Sequence, residues 1–473
     1  MSPNSHPADS AGSASMPDDP RDGWSDLLSG RHLAIVTVMA SGILLYAMNL
    51  YFTAALMPSI VADIGGQAYY AWVTTGFVIA AIVASLFVSR LLDSRGPASA
   101  YLIAFVTFAL GAAGNAISPT MQILIAGRII QGLGGGLLAG LGYAVIRSAL
   151  PERHWARATG VVSAMWGVGT LFGPALGGVF AELGLWRWSY GGLALVALIF
   201  ALLGQRSFAG MAGSARQNPV PVASLILLVL ATIAISLSAV LPIGWPTMLA
   251  VGAGLVLLWL FVTVERRSDN TILPKLTYRR GNALKWVYLT VAALSAGVMV
   301  ENFIPLFGQQ LAGLSPLVAG LLGAVLSLAW VIAQLFVVSV SSDAGRRRAI
   351  RLGPLLLTAG LIVYGLFQAS GAGLATVAIW AGALTVSGVG IGLAWPLLGV
   401  AAMSSSRDPA EGGKAAAAIT TTQLIAFSIT SAMAGTLMAA GGESIADAAR
   451  YVSLGIALLT LLGVLTAGIA TRR

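Results

Sequence analysis

Glu301 is a carboxylate that falls well inside an apolar stretch of the chain, four residues before Pro305. An apolar surrounding disfavours an ionised carboxylate, so such a group can take up and release protons. It can also neutralise a cationic substrate. We place it towards the outer third of a predicted membrane span. The alternative is a Glu301 at the level of the lipid headgroups, wetted from outside.

Arg128 is the basic residue that falls within a predicted span, and Gln131 follows one helical turn later on the same face. A charge within a membrane is costly, so Arg128 must face a cavity or a partner. Its residue type indicates a role in proton coupling or substrate contact. The alternative is a structural charge that is hydrogen-bonded to backbone carbonyls.

Further polar and aromatic side chains lie within the apolar stretches, and an apolar pocket with a few polar groups suits amphipathic ligands. Each of these residues alone could instead be a packing residue or an interface anchor. As a set they are candidates for a substrate pocket: Tyr46, Asn49, Gln131, Tyr143, Trp166, Asn302, Trp330, Gln334, Trp395 and Gln423.

The elements that must position these residues are membrane-spanning helices. The chain is 57% hydrophobic and 9% charged, whereas soluble proteins average about 25% charged residues. A bilayer core needs roughly 20 apolar residues per helix. The sequence predicts fourteen spans, at about 33–57, 70–92, 98–117, 121–146, 157–181, 189–204, 220–241, 246–264, 285–307, 316–340, 351–369, 374–400, 415–438 and 451–470.

Charge and composition exclude several classes of protein. The net charge is +9, but the basic residues are spread over short loops without interleaved aromatic residues. Nucleic acid is therefore not an expected partner. There are no cysteines, and His6, His32 and His154 are far apart in sequence, so we predict no metal site. The predicted spans contain no cluster of histidines and carboxylates, so the sequence does not predict an enzyme active site.

The lysines and arginines fall mostly in the turns of one side, which predicts that both chain termini are cytoplasmic. Residues 1–30 are polar and acidic and lack the apolar core of a secretory signal. We interpret them as a disordered cytoplasmic tail.

Two of the predicted cytoplasmic turns resemble each other. One carries Asp93 and Arg95, and the other carries Asp343 and Arg346; each Asp stands four residues after a Ser. The pair indicates a duplicated bundle of helices, and transporters built from repeats bind substrate between them. The alternative is that any tight turn after a span collects Asp, Gly and Arg.

With these motifs the chain resembles the major facilitator superfamily, and within it the fourteen-span drug:proton antiporter branch. The loop around Asp93 is similar to a family motif, as are Arg128 to Gln131 and the segment Trp186 to Tyr190. A stretch similar to the antiporter signature contributes Gly169, Gly173, Pro174, Gly177 and Gly178.

The resemblance implies an all-α polytopic membrane protein with two six-helix bundles and two extra helices between them. The predicted units are a tail at 1–30, a first bundle at 31–205, two additional spans with an inner loop at 206–284, and a second bundle at 285–473. By the same resemblance, Asp93, Arg95, Asp343 and Arg346 form inner gate contacts, and the glycine-rich stretch seals helices against each other.

The resemblance also implies the function: proton-coupled export of small amphipathic or drug-like compounds by alternating access, in a bacterial cytoplasmic membrane. The expected partners are the lipid bilayer and a lipophilic or cationic small molecule, and the expected state is a monomer without cofactor, energised by the proton gradient. Branch members often carry Asp where this chain has Asn49, which cannot titrate. Alternatives are an exporter or symporter of one metabolite, or a non-transporting sensor or scaffold.

Overall fold

The computed structural model describes residues 24–211, 221–279, 281–337, 340, 342–406 and 409–471. These residues form seventeen α-helices and three short 3-10 helices, without a strand. Thirteen helices of the described residues are long and apolar enough to cross a membrane, and Val222–Leu237 is a shorter apolar helix of 16 residues. The prediction of an all-α polytopic membrane fold is confirmed, while the count of fourteen spans stays a prediction.

The helices divide into two halves around a pair of linking helices. The first half contains α1 (Trp24–Leu27), α2 (Gly30–Ile64), α3 (Tyr70–Ser85), α4 (Val88–Ala116), α5 (Met121–Ala144), α6 (Ile146–Ala149), α7 (Glu152–Glu182) and α8 (Trp186–Ser207). The linking pair is α9 (Val222–Leu237) and α10 (Trp245–Arg267). The second half contains α11 (Leu284–Val298), α12 (Ile304–Ala312), α13 (Pro316–Val337), α14 (Asp343–Leu366), α15 (Leu374–Met403), α16 (Pro409–Ala440) and α17 (Ile445–Ala470).

The ends of the long helices gather on two opposite faces. On one face, where α2 begins, Arg31 donates to the carbonyl of Ser207 at 3.2 Å, across the whole first half of the chain. On the other, Arg450 donates to the carbonyl of Gln368 at 3.0 Å. We name the first the terminal face, because α2 begins and α17 ends there, and the second the opposite face.

The same helix pairings occur in both halves. In the first half α4 packs against α5 and α8, and α3 packs against α5; in the second half α14 packs against α15 and α17, and α13 packs against α15. Across the halves, α7 packs on α13 and α3 packs on α16. These two seams are equivalent under exchange of the halves, which supports the predicted duplication.

Glycines allow the central helix of each half to approach its neighbours closely. A Cβ atom at Gly136 of α5 would lie 2.1 Å from the carbonyl oxygen of Ala81 in α3. A Cβ at Gly388 of α15 would lie 2.1 Å from the carbonyl oxygen of Leu326 in α13. Small residues at such contacts are what membrane helices use to pack, since lipid supplies no hydrophobic force between them.

The chain turns sharply next to Asp93, between the second and third predicted spans. Helix α3 already ends at Ser85, and Asp93 lies in α4, which bends at Gly96 with φ 72° and ψ 169°. Glycine tolerates this positive φ, and Pro97 has no N–H to bond to the preceding turn. Gly96 is not helical, so two helical segments meet at this tight turn.

The span that carries Glu301 is broken, whereas the sequence predicts one continuous helix over 285–307. Helix α11 ends at Val298, Met299–Asn302 forms a 3-10 turn, and α12 follows from Ile304 with proline in its first turn. A proline removes a backbone hydrogen bond, which explains the break. Glu301 consequently lies at the break, while its depth in the outer third of the span stays a prediction.

The segment before α2 differs from its prediction. Residues 1–23 lie outside the described residues, but Trp24–Leu27 forms α1 with Leu27 fully buried, so this end of the predicted tail is folded. Helix α1 places Asp26 beside His32 and His154. The fold thus joins His32 and His154 although they are distant along the chain, and the prediction of no metal site stays a prediction.

The linking pair occupies the seam between α3 and α16. Helix α9 packs against both: Trp72 of α3 donates to the carbonyl of Ser236 at 3.1 Å, and Ser428 of α16 donates to the hydroxyl of Thr232 at 3.2 Å. Helix α10 packs on α9 and leaves large apolar side chains such as Trp259 exposed, as a lipid-facing helix does.

The contact between α9 and α10 gives a stability prediction. A Cβ at Gly254 would lie 2.4 Å from the Ile235 side chain, whereas one at Gly252 of the same helix has nothing within 4 Å. We expect Gly254→Val to destabilise the protein by about 1–3 kcal/mol through overpacking. Thermal unfolding of the purified protein in detergent measures this. Gly252→Val is the matched control, and equal melting temperatures of the two variants would contradict the packing.

Candidate functional site

A cavity of ≈ 340 Å³ lies between the two halves. Helices α5 and α7 of the first half and α13, α15 and α16 of the second contribute its walls. It is nearer the terminal face, since Tyr143 stands next to the end of α5 and Gln334 in the last turn of α13. Its lining is Tyr143, Trp166, Gly167, Thr170, Trp330, Val331, Gln334, Trp395, Pro396, Ile419, Thr420 and Gln423.

Aromatic rings and amides dominate this lining, and no lining residue carries a charge. Trp330 and Trp395 meet edge to face, with ring centroids 5.7 Å apart. Gln334 and Gln423 add amide groups that can donate and accept hydrogen bonds. The cavity can therefore hold a flat apolar body and orient its polar substituents.

The structure brings six of the ten predicted pocket residues to this cavity: Tyr143, Trp166, Trp330, Gln334, Trp395 and Gln423. It places the other four, Tyr46, Asn49, Gln131 and Asn302, elsewhere in the interior. The lining residues that sequence reasoning missed are Gly167, Thr170, Val331, Pro396, Ile419 and Thr420. Helical spacing would have found some of them, since Thr170 is four residues after Trp166 and Thr420 three before Gln423.

The two halves contact each other towards the opposite face, beyond the cavity. The Glu182 carboxylate at the end of α7 accepts a hydrogen bond from the Leu317 N–H at 3.1 Å. The Tyr70 hydroxyl donates to the Asn302 carbonyl at 3.2 Å. In this conformation the two halves contact each other near the opposite face, and the cavity lies nearer the terminal face.

The glycine-rich stretch of α7 contacts both halves. A Cβ at Gly178 would lie 2.9 Å from the Leu317 Cα of α13, and a Cβ at Gly320 of α13 would lie 2.5 Å from the Pro174 carbonyl oxygen. Three more glycines at four-residue spacing fit against the backbone of α2 with equally short Cβ distances: Gly169, Gly173 and Gly177. The stretch therefore packs within its own half and at the seam at once.

Arg128 is fully buried and held by a polar network in the first half. It donates to the Gln131 side-chain oxygen at 2.7 Å and to the Val73 carbonyl at 3.3 Å, and its guanidinium lies 4.2 Å from the ring centroid of Phe77. Asn115 donates to the same Gln131 oxygen at 2.9 Å. Arg128 thus has partners, as its cost of burial demands, and it does not line the cavity.

Tyr46 connects this network to the cavity wall. Its ring stacks on Phe77 at 5.6 Å and meets Trp166 edge to face at 5.5 Å. Asn49 follows on the next turn of α2; both its amide atoms are buried and lack hydrogen-bond partners among the described residues. Buried amide groups without partners are rare in folded proteins.

Glu301 is 2% exposed, which contradicts the alternative of a carboxylate wetted at the headgroups. Its Oε1 accepts a hydrogen bond from the Ser327 hydroxyl at 2.7 Å, and its Oε2 has no partner among the described residues. Ser327 stands one helical turn from Trp330 on α13. Tyr51 of α2 is close enough for an electrostatic interaction with the carboxyl group. The group thus lies next to the seam and one turn from the cavity wall.

The two predicted gate pairs lie at equivalent places of the two halves, near the start of α4 and at the start of α14. Asp93 and Arg95 belong to α4, whose extensive packing is with α5 and α8 of its own half. Asp343 and Arg346 form an exposed ion pair at 3.9 Å within the first turn of α14. Ser339, which belongs to the second motif, lies outside the described residues. Their role as a gate stays a prediction.

Comparison with known proteins places the chain in a family context. A family model described as Major Facilitator Superfamily matches residues 39–431. The chain is 42% identical over 464 residues to a protein named "Probable multidrug-efflux transporter" in two strains of Mycobacterium tuberculosis, covering 95% of this chain and 97% of the relative. It is 25% identical over 385 residues to "Multidrug resistance protein 3" of Bacillus subtilis, covering 78% of this chain and 72% of the relative.

Solved structures share the fold at low sequence identity. A transporter of the POT family in complex with 5-aminolevulinic acid superposes with a TM-score of 0.68 at 14% identity, covering 92% of this chain and 96% of that one. A D-xylose-proton symporter superposes with a TM-score of 0.64 at 16% identity, covering 93% and 97%. At these identities the likeness concerns the architecture alone.

The Arg128 network gives a second prediction. A lysine at this position cannot donate to Val73 and Gln131 together while stacking on Phe77. We expect Arg128→Lys to lower stability by about 1–3 kcal/mol, because buried acceptors lose their partners. Melting temperature in detergent is the measurement, and Arg206→Lys, at an exposed arginine of α8, is the control. If the Arg128→Lys protein is as stable as the control, the several N–H donors of the Arg128 guanidinium are not needed for stability.

Proposed function

Because this chain belongs to the Major Facilitator Superfamily and is a secondary transporter, not an enzyme, we propose that it exports small amphipathic compounds in exchange for protons. The observation that carries the proposal is the cavity between the halves, with its three tryptophans and two glutamines. Its volume of ≈ 340 Å³ falls at the lower end of the range typical for drug-sized ligands. The name of the Mycobacterium tuberculosis relative, which matches nearly the whole chain, supports the same substrate class.

The chemistry of the lining defines the substrates we propose. Three indole rings line the cavity, those of Trp166, Trp330 and Trp395. They can stack on flat apolar rings, and their negatively polarised faces also attract cations. No lining carboxylate or arginine selects one fixed ionic group. A set of lipophilic, neutral or cationic compounds therefore suits the cavity better than a single polar metabolite.

The two faces support an orientation of the protein in the membrane. We propose that the protein lies in the cytoplasmic membrane with both termini in the cytoplasm, because lysine and arginine concentrate at the turns on the terminal side. The described conformation would then be the inward-facing one, with the halves joined on the outside and the cavity on the inner side. Export requires a second conformation, in which the halves part on the opposite face.

Glu301 is the group that we propose to carry the coupling proton. It is buried at the break between α11 and α12, and Ser327 connects it to the helix turn that bears Trp330. A change in the seam between the halves would therefore change the surroundings of the carboxyl group and of the cavity wall together. Asn49 cannot supply this proton, and Arg128 is engaged by Gln131.

The cavity gives a test of the substrate class. We expect Trp330→Ala to reduce, by roughly tenfold or more, the protection against aromatic cationic dyes in an efflux-deficient host, because an aromatic face of the site is lost. Growth inhibition over a panel of compounds measures this, alongside protein abundance in the membrane. Trp259→Ala, on the lipid-facing surface of α10, is the matched control. If neither the wild type nor the control protects the host against any compound, transport of one dedicated metabolite is favoured instead.

Proton coupling is tested in proteoliposomes. We expect Glu301→Gln to abolish accumulation driven by an imposed pH gradient while preserving exchange of labelled for unlabelled substrate, since exchange needs no net proton movement. Glu443→Gln, the same substitution at an exposed glutamate, should keep both activities. Gradient-driven accumulation that survives in Glu301→Gln would remove Glu301 from the mechanism.

A further inference from the structure

Asp26, His32 and His154 meet at the terminal face, and one ligand atom of each lies within 4.8 Å of the others. His154 is fully buried, and its Nε2 lies 2.9 Å from the Asp26 Oδ2. The Nδ1 of His32 lies 3.8 Å from the Asp26 Oδ1, and the two imidazole rings have centroids 5.2 Å apart. Three helices, α1, α2 and α7, each contribute one of these side chains.

We propose that Asp26, His32 and His154 form a binding site for a divalent transition-metal ion of the zinc class. Two imidazoles and one carboxylate are the donor set that borderline metals prefer, whereas magnesium and calcium prefer oxygen ligands alone. Ligand atoms around a tetrahedral ion with bonds of about 2.0–2.1 Å lie about 3.4 Å apart. Side-chain rotations that shift the present atoms by about an ångström reach that spacing, and water supplies the fourth ligand.

The burial of His154 favours a ligand at this place. Its Nδ1 has no hydrogen-bond partner among the described residues, so the ring is held through Nε2 and the Asp26 carboxylate. A buried polar atom without a partner is uncommon in folded proteins, and a bound ion with its water can supply one. His32 and Asp26 are partly exposed, which leaves an entry path for an ion and its water.

The site is separate from the cavity. His154 and Trp166 are both on α7, twelve residues apart in the sequence, which corresponds to about 18 Å along a helix at 1.5 Å per residue. A bound ion would instead fasten α1 and the start of α2 to the first turn of α7. Metal binding is therefore expected to raise the stability of the first half, because the ion binds the folded arrangement alone.

The chain offers a clean background for the experiment, since it has no cysteine and three histidines, of which His6 is the third. Protein without an affinity tag is stripped with a chelator in detergent and titrated with Zn²⁺ in a calorimeter. We expect one ion per chain with a micromolar dissociation constant, a higher melting temperature, and no response to Mg²⁺. Co²⁺ should give visible absorption of a nitrogen- and oxygen-coordinated ion, which acid abolishes because protons compete with the metal for its ligands.

Variants decide whether this cluster is the site. His32→Ala and Asp26→Asn alter partly exposed groups, and each should weaken Zn²⁺ binding roughly tenfold or more. His6→Ala should leave binding unchanged, and size-exclusion profiles confirm that each variant is folded. Absence of bound Zn²⁺ in the wild type, equal binding by wild type and His32→Ala, or loss of binding in His6→Ala would overturn the proposal.

Discussion

The close approach of helix backbones through glycine is the constraint on which this structure depends. In hydrocarbon, each helix satisfies its own backbone hydrogen bonds, and apolar side chains gain nothing by leaving lipid for one another. Stability must come from tight contact, and the central helices α5 and α15 achieve it at Gly136 and Gly388, where any side chain would overlap a neighbouring carbonyl. Helix α7 applies the same device to its own half and, through Gly178, to the other half. The packing of these helices thus depends on one type of residue.

Within this frame, each half holds one buried ionisable group that neighbouring side chains connect to a tryptophan of the cavity wall. In the first half, Arg128 stacks on Phe77, and Tyr46 joins that ring to Trp166. In the second half, Glu301 bonds to Ser327, one turn from Trp330. Arg128 and Glu301 do not themselves line the cavity, so the cavity can accept varied ligands. Neighbouring side chains still connect its walls to these two ionisable groups.

The sequence predicted the helices and much of the cavity because both follow from local rules. Apolar length marks a span, and a tryptophan or glutamine inside a span has few stable positions other than an interior wall, as Trp395 and Gln423 illustrate. It failed where backbone geometry or long-range contact decides. Examples are the non-helical bend at Gly96 and the 3-10 turn before α12, which breaks the helix predicted over 285–307. Neither has a hydropathy signal. The meeting of His32 with His154 depends on tertiary packing between helix ends, which no spacing along the chain reveals.

The position of α9 breaks the equivalence that duplication creates. An exact repeat would present two identical flanks to the lipid, one along α7 and α13 and one along α3 and α16. Here α9, held by Trp72 on one side and Ser428 on the other, thickens the second flank into a double wall, with α10 outside it. The molecule therefore presents one flank shielded by an extra layer of helices and one flank without it.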